Sequence, residues 1–406
     1  MSSVKEHFEI PGRYKQWSFG LIGVGVLSLI IGFILYGSTD HGTRFWASLL
    51  QNSVYFLLIT NAAMFFFAAT TLAYGGWTLT FRRVSEAISV SVIPIGIITF
   101  IILMSLVFGG KTTIYEWLDK DLVKNDAVLN GKKGFLNPTF FTIWTTLSIG
   151  LWILLGKKMR SLSQEIDNTP LTIEEGKKYI FKNTVWSAIY IVWFALTVAS
   201  VTPWVWLMSI NAHWFSTMYS WYTFASSFVA GIALITLFVI YMKNKGYLEY
   251  TNEEHLHDLG KFQFAFSIFW TYLWFAQFML IWYANISEET IYFKSRFDGA
   301  YKGVFYLNLI INFVCPLLIY MKASSKRNYA TVTFMSVLLI FGHWLDFFQM
   351  VFPYHYPDHV PLNLFDFGVA LGFVGLIMWQ TGQALSKVPL LAKNHPFLKE
   401  SIIHHT

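Results

Sequence analysis

Residues Tyr329 to Val351 read YATVTFMSVLLIFGHWLDFFQMV, an apolar run in which His343 and Asp346 are the only ionisable groups apart from Tyr329 at its start. At about 1.5 Å per residue such a run crosses the ~30 Å hydrocarbon core of a bilayer as one helix. Helical spacing then sets His343, Asp346 and Gln349 on one face. Counted from Pro353, Asp346 lies roughly 10 Å and His343 roughly 15 Å below the helix end. Polar groups at that depth face protein or water, because lipid satisfies none of them. Two readings of the pair stay open: a buried hydrogen bond between helices, or a proton relay.

Working outward, the chain repeats this pattern. It is 55% hydrophobic and 13% charged, with 39 Phe and 17 Trp, well outside soluble averages. Apolar runs long enough to span fall at 17–38, 47–75, 86–108, 138–156, 183–203, 215–241, 262–284, 302–321, 329–351 and 364–385. The expected fold class is an all-α polytopic membrane protein with ten transmembrane helices. Residues 1–16 form an N-terminal segment, 17–385 one membrane domain, and 386–406 a C-terminal tail. The 29 Lys and Arg divide between the two sides as 20 against 9, which predicts that both termini are cytoplasmic. The net charge of +6 is thus a topology signal and gives no reason to expect a nucleic-acid partner. The polar start runs straight into the first span without a small-residue cleavage pattern, so that span is expected to remain as an anchor.

Several chemistries are excluded by residue type. The single cysteine, Cys315, cannot build a disulfide framework or a thiolate metal cluster alone, so no metal site is expected. There is no Gly-rich phosphate loop, metalloprotease histidine pair or nucleophile elbow. A transmembrane haem needs two histidines at matched depth. His213 at the mouth of its span and His343 well inside its own do not match.

The polar residues near the spans gather on one side. They include His213, Gln277, Trp282, His343, Trp344, Asp346, Gln349 and Asp366. His343, Asp346 and Asp366 are candidates for proton transfer, and His213, Gln277, Trp282, Trp344 and Gln349 are candidates for the wall of a pocket beside them. On the opposite side, Thr172 followed by Glu175 resembles a capping box opening a helix.

Three stretches carry a resemblance: DLGKFQFAFSIFWTYLWFAQFMLIWYANISEET at Asp258–Thr290, MSINAHWFSTMYSWY at Met208–Tyr222, and GHWLD at Gly342–Asp346. With the tail PFLKES at Pro396–Ser401, they resemble the NrfD/polysulfide-reductase membrane-subunit family, and within it the membrane subunits of bacterial alternative complex III. The resemblance covers most of the chain from the fifth span onward. It implies two four-helix bundles, helices 2–5 and 6–9, flanked by helices 1 and 10, in a bacterial inner-membrane protein. It also implies a quinol:electron-acceptor complex in which haem c and iron–sulfur clusters sit on partner subunits, beside a related membrane subunit. This chain would bind no redox cofactor other than a quinone, and the resemblance makes His213, Gln277, Trp282, Trp344 and Gln349 its expected quinone-like pocket. Quinol oxidation releases two protons, so such a pocket needs an acceptor near each hydroxyl and a relay to water, the expected role of His343, Asp346 and Asp366. A secondary transporter and a structural scaffold of a redox complex are the alternatives. No matched pair of Gly- or Pro-interrupted spans is evident from the sequence to favour the transporter.

Overall fold

The computed structural model describes residues 6–167 and 170–405; Lys5, counted above, lies outside them. Among the described residues there is no strand, and ten helices are long and apolar enough to cross a membrane. These are α1 (Gly12–Tyr36), α2 (Thr43–Leu72), α3 (Arg82–Phe108), α4 (Pro138–Gln164), α5 (Ile173–Ile210), α6 (Met218–Asn244), α7 (Glu253–Ala284), α8 (Lys302–Tyr320), α9 (Tyr329–His355) and α10 (Leu364–Ser386). The chain is a multi-pass membrane protein.

Local chemistry sets where these helices begin. Asn137, Asn252, Asn328 and Asn363 each accept backbone N–H bonds at the start of α4, α7, α9 and α10, the usual service of an N-cap side chain. The expected capping box is present: Thr172 and Glu175 bond reciprocally at the start of α5. Several helices outrun the apolar segments. α7 begins nine residues earlier than its hydropathy suggests, because Asn252 caps it ahead of Glu253 and Glu254.

The prolines mark breaks that hydropathy does not. α5 widens into a π turn at Thr197–Val201 just before Thr202-Pro203, and α8 does the same at Ile310–Val314 before Cys315-Pro316. A proline withholds the N–H that an α-helix needs there, and a π turn is one way to absorb the gap. Two spans are therefore interrupted in the same manner, which the sequence alone did not disclose.

α2 packs against α3 and α5, and α4 bridges α3 and α5. In the second half α6 packs against α7 and α9, and α8 against α7 and α9. The two groups meet along α2 and α6, the most deeply buried helices. α1 lies along α10 with most of its apolar surface outward. There the Gly25 and Gly372 backbones touch so closely that neither position has room for a β-carbon, the small-residue packing that membrane helices favour.

Both termini lie on one face, where the Leu390 N–H donates to the Glu6 carbonyl at 2.8 Å. The segment after α10 is a folded strap. Ser401 donates to the Trp77 carbonyl at 2.7 Å, and His404 pairs with Asp258 at 2.7 Å.

Candidate functional site

The α9 face predicted from spacing is buried: His343 is 0%, Asp346 1% and Gln349 5% exposed. Asp346 is held by side chains from three other helices. Its Oδ1 accepts from Asn308 Nδ2 of α8 at 3.0 Å and from the Tyr222 hydroxyl of α6. Its Oδ2 accepts from Ser226 Oγ of α6 at 2.8 Å and Trp270 Nε1 of α7 at 3.0 Å. No cation forms an ion pair with it among the described residues. Four donors aimed at one carboxylate are how a protein solvates an anion without a counter-ion.

No hydrogen bond joins His343 directly to Asp346. They are joined through Ser226, whose Oγ lies 2.9 Å from His343 Nδ1. A hydroxyl has one proton to give. When Ser226 gives it to Asp346, Nδ1 carries the hydrogen and donates to Ser226; when Asp346 is protonated, the direction can reverse. The His343 ring stands edge-on to Trp270 at 5.5 Å, and its Nε2 is buried without a protein partner.

On the side away from the termini, Asp346, Tyr222, Asn308, Gln277 and Gln349 line a cavity of about 20 Å³, room for one water. Arg296, on a helix at Ser287–Phe297 between α7 and α8, closes it. This Arg donates to the Gln349 carbonyl at 3.0 and 2.7 Å and to the Tyr292 carbonyl at 2.6 Å. Its guanidinium lies 3.4 Å from the Tyr292 ring centre. Beyond it is a larger cavity of about 250 Å³, also bordered by Arg296 and Tyr292 and walled by Trp214, Tyr219 and Met350. Trp214 and Tyr292 stack there at 4.0 Å.

Towards the termini further buried polar side chains follow. Asn312 donates to Asn308 at 2.6 Å, while Asn312 Oδ1 and Ser267 Oγ are buried without partners. Two helical turns below His343 on α9, Ser336 joins a second layer. Gln263 Nε2 donates to Thr236 at 2.9 Å and to Ser336 at 3.0 Å, and Tyr320 donates to Gln263 at 2.8 Å. Lys326, in the α8–α9 loop, donates to the Tyr320 carbonyl, and burial pulls it below the ordinary lysine range.

Of the residues chosen from sequence, His343, Asp346, Gln277 and Gln349 come together. The other four do not join them. Trp344 faces α2, donating to Asn52 at 2.9 Å. Trp282 is 66% exposed. His213 sits in a loop, 2.8 Å from Asp126. Asp366 is engaged by Arg44 at both oxygens and by Ser48 at 2.7 Å, at the start of α10. Sequence reasoning passed over Tyr222, Ser226, Trp270, Asn308 and Arg296. Only Asn308 carried a signal, since Asn308 and Asn312 lie one turn apart in an apolar span.

Among the described residues no group of three His, Cys, Asp or Glu side chains could hold a metal ion. No protein-family model matches the chain, and no curated protein matches it either, so the functional reading rests on the geometry of α6–α9 and on the residues themselves.

Proposed function

We propose that this chain is a membrane subunit of a respiratory quinol:electron-acceptor oxidoreductase of the alternative complex III type, similar to its ActF subunit, and that the α6–α9 group transfers protons. It would act in a bacterial inner membrane with both termini cytoplasmic, beside a related membrane subunit and partners bearing iron–sulfur clusters and haem c. The observation that carries the reading is the hydrogen-bonded set Asp346–Ser226–His343, with further buried polar side chains on either side of it, from Arg296 to Lys326. A proton leaving Asp346 passes to Ser226 Oγ as Ser226 passes its own to His343 Nδ1, so no atom other than hydrogen moves.

Size favours a proton over any larger cargo. The space beside Asp346 takes one water, so the interrupted spans α5 and α8 do not make a solute transporter the better reading. A quinol ring is too large for that space as well. The flat wall of Trp214 and Tyr292 beside the larger cavity is the better place for one, and Arg296 lies between it and Asp346.

Turnover of the assembled complex tests this. Asp346→Asn puts an N–H₂ among donors and so costs about 1–3 kcal/mol of stability whatever the function; Ser226 separates the two roles. Ser226→Ala is expected to slow turnover roughly 10²-fold while Ser226→Thr retains it, since only the hydroxyl relays. Adding His343→Ala to Ser226→Ala should cost little more than either alone. Near-wild-type turnover in Ser226→Ala and Asp346→Asn, with an unchanged pH profile, would return the cluster to a structural role.

A further inference from the structure

On the termini-bearing face, apart from the Asp346 cluster, a second buried cluster has one anion too few. Arg82 and Arg83 open α3, and Arg160 reaches in from α4. Arg83 pairs with Glu86 at 2.8 Å and with Asp167, Arg82 pairs with Glu86 at 3.2 Å, and Arg160 donates to Ser89 at 2.9 Å. Three guanidinium groups thus share two carboxylates. Glu86 is 2% and Arg82 7% exposed, so water does little to neutralise the excess.

The unmatched charge points somewhere definite. Arg82 Nη2 is buried with no partner. Arg82 Nη1 faces His395 Nε2 at 3.4 Å, and the tautomer of that ring follows from its other nitrogen. His395 Nδ1 accepts the Phe397 backbone N–H at 3.2 Å, so Nε2 bears the hydrogen. Two donors therefore face each other, and with Nη2 they lack a common acceptor. Burial first, then Arg82 and Arg83, push His395 down to about 3, so it stays a neutral donor near pH 7. Arg82 and His395 both line a cleft with an enclosed volume of about 20 Å³, enough for one oxygen atom. The nearby hydroxyls of Thr70, Thr71 and Thr184 donate to helix carbonyls, and none of them accepts from Arg82 Nη2. Glu400 rests against Gly76 at the cleft's edge but makes no ion pair with Arg82.

The surroundings name the source of that oxygen. The cleft opens between the ends of α2 and α5, where Tyr74 is 54% and Phe181 70% exposed, the signature of the membrane–water interface. We infer that Arg82 and His395 form a binding site for the phosphate of an acidic phospholipid headgroup, one oxygen entering the cleft while the rest of the group stays at its mouth. Basic pockets between spans at this depth bind such headgroups in general.

The test uses the full chain extracted in mild detergent, delipidated, and examined by native mass spectrometry. With phosphatidylglycerol and phosphatidylcholine offered together, about tenfold preferential retention of phosphatidylglycerol is expected. Arg82→Gln should abolish the preference. Because that change also strips Glu86, His395→Phe provides the second variant: it leaves the Arg82–Glu86 pair intact and should lower the preference to about twofold or less. Inorganic phosphate is the competing arm. Displacement of the lipid only by large excess supports the headgroup; thermal stabilisation by phosphate, lost in His395→Phe, with no lipid retained would keep the phosphate site and assign it to a soluble anion. Equal retention of both lipids by the wild type, or wild-type preference in both variants, with no response to phosphate, overturns the proposal.

Discussion

The side chain of Asn312 occupies the space that a β-carbon on Gly342 would fill. This contact brings α8 against α9 one residue before His343, and the same face of α8 supplies Asn308 to Asp346. Gly342→Ala is therefore expected to force the two helices apart. The loss of stability should be about 1–3 kcal/mol, as for overpacked cores, read as a lower thermal midpoint in detergent. An alanine variant as stable as the wild type would show that α8 can shift freely.

Trp270→Phe removes one donor to Asp346 Oδ2 and leaves Ser226 in place. The expected cost is about 1–3 kcal/mol for a buried charge-assisted bond. If Asp346 serves the relay, the pH profile of turnover should also move. A stability change with an unmoved profile would separate the tryptophan from proton transfer.

Arg44→Gln should be the more damaging surface-proximal change. It leaves the Asp366 carboxylate, 0% exposed, without its cation, and breaking a buried pair from one side costs about 3–5 kcal/mol. Pairing Arg44→Gln with Asp366→Asn should recover much of that loss. Turnover that falls in Asp366→Asn without a stability change would instead place Asp366 in proton transfer.

The strap after α10 should loosen in acid. His395 takes up a proton at about 6.5 in the unfolded chain but only at about 3 in the folded one. Its contribution is therefore complete above about pH 6.5 and declines as the pH falls towards 3. Arg82, Arg83 and Tyr179 face the ring, and none of them gains a proton in that window. Limited proteolysis of residues 387–405 should accelerate between about pH 7 and about pH 4.5, and His395→Gln should flatten that dependence.

Orientation is testable by cysteine labelling in a Cys315→Ala background. A cysteine at Asn125 should react from the periplasmic side. Asn168, on the opposite loop, lies outside the described residues, so Glu174, 75% exposed, is the better partner and should be protected. The reverse pattern would invert the orientation argued from the 20 to 9 charge division.

Much of this architecture was legible because bilayer thickness and helix rise leave few solutions for an apolar run. The Thr172 capping box was legible for a similar reason, since both partners lie within one turn. His343 and Asp346 could be chosen from spacing alone. Their connection through Ser226 could not, because Ser226 is 120 residues from Asp346 and a serine in an apolar span carries little signal by itself. Trp344 was misgrouped because one residue along a helix turns the side chain by about 100°, enough to aim it at Asn52 on α2. Arg44 and Asp366, 322 residues apart, pair only once α2 and α10 are packed. The polar run Ser48, Gln51, Asn52 and Ser53, wholly buried in α2, had a helical period and could have been read.

Asp346 has a further consequence as a carboxylate solvated by four side chains from three helices. Gaining a proton removes the charge those donors are aimed at, and moving a donor changes how well the charge is held. Occupancy and helix spacing are therefore two ends of one linkage, and reciprocity makes each act on the other. Any partner that presses on α7 or α8 reaches the proton through Trp270 or Asn308, and a proton arriving at Asp346 pushes back on that partner with the same free energy.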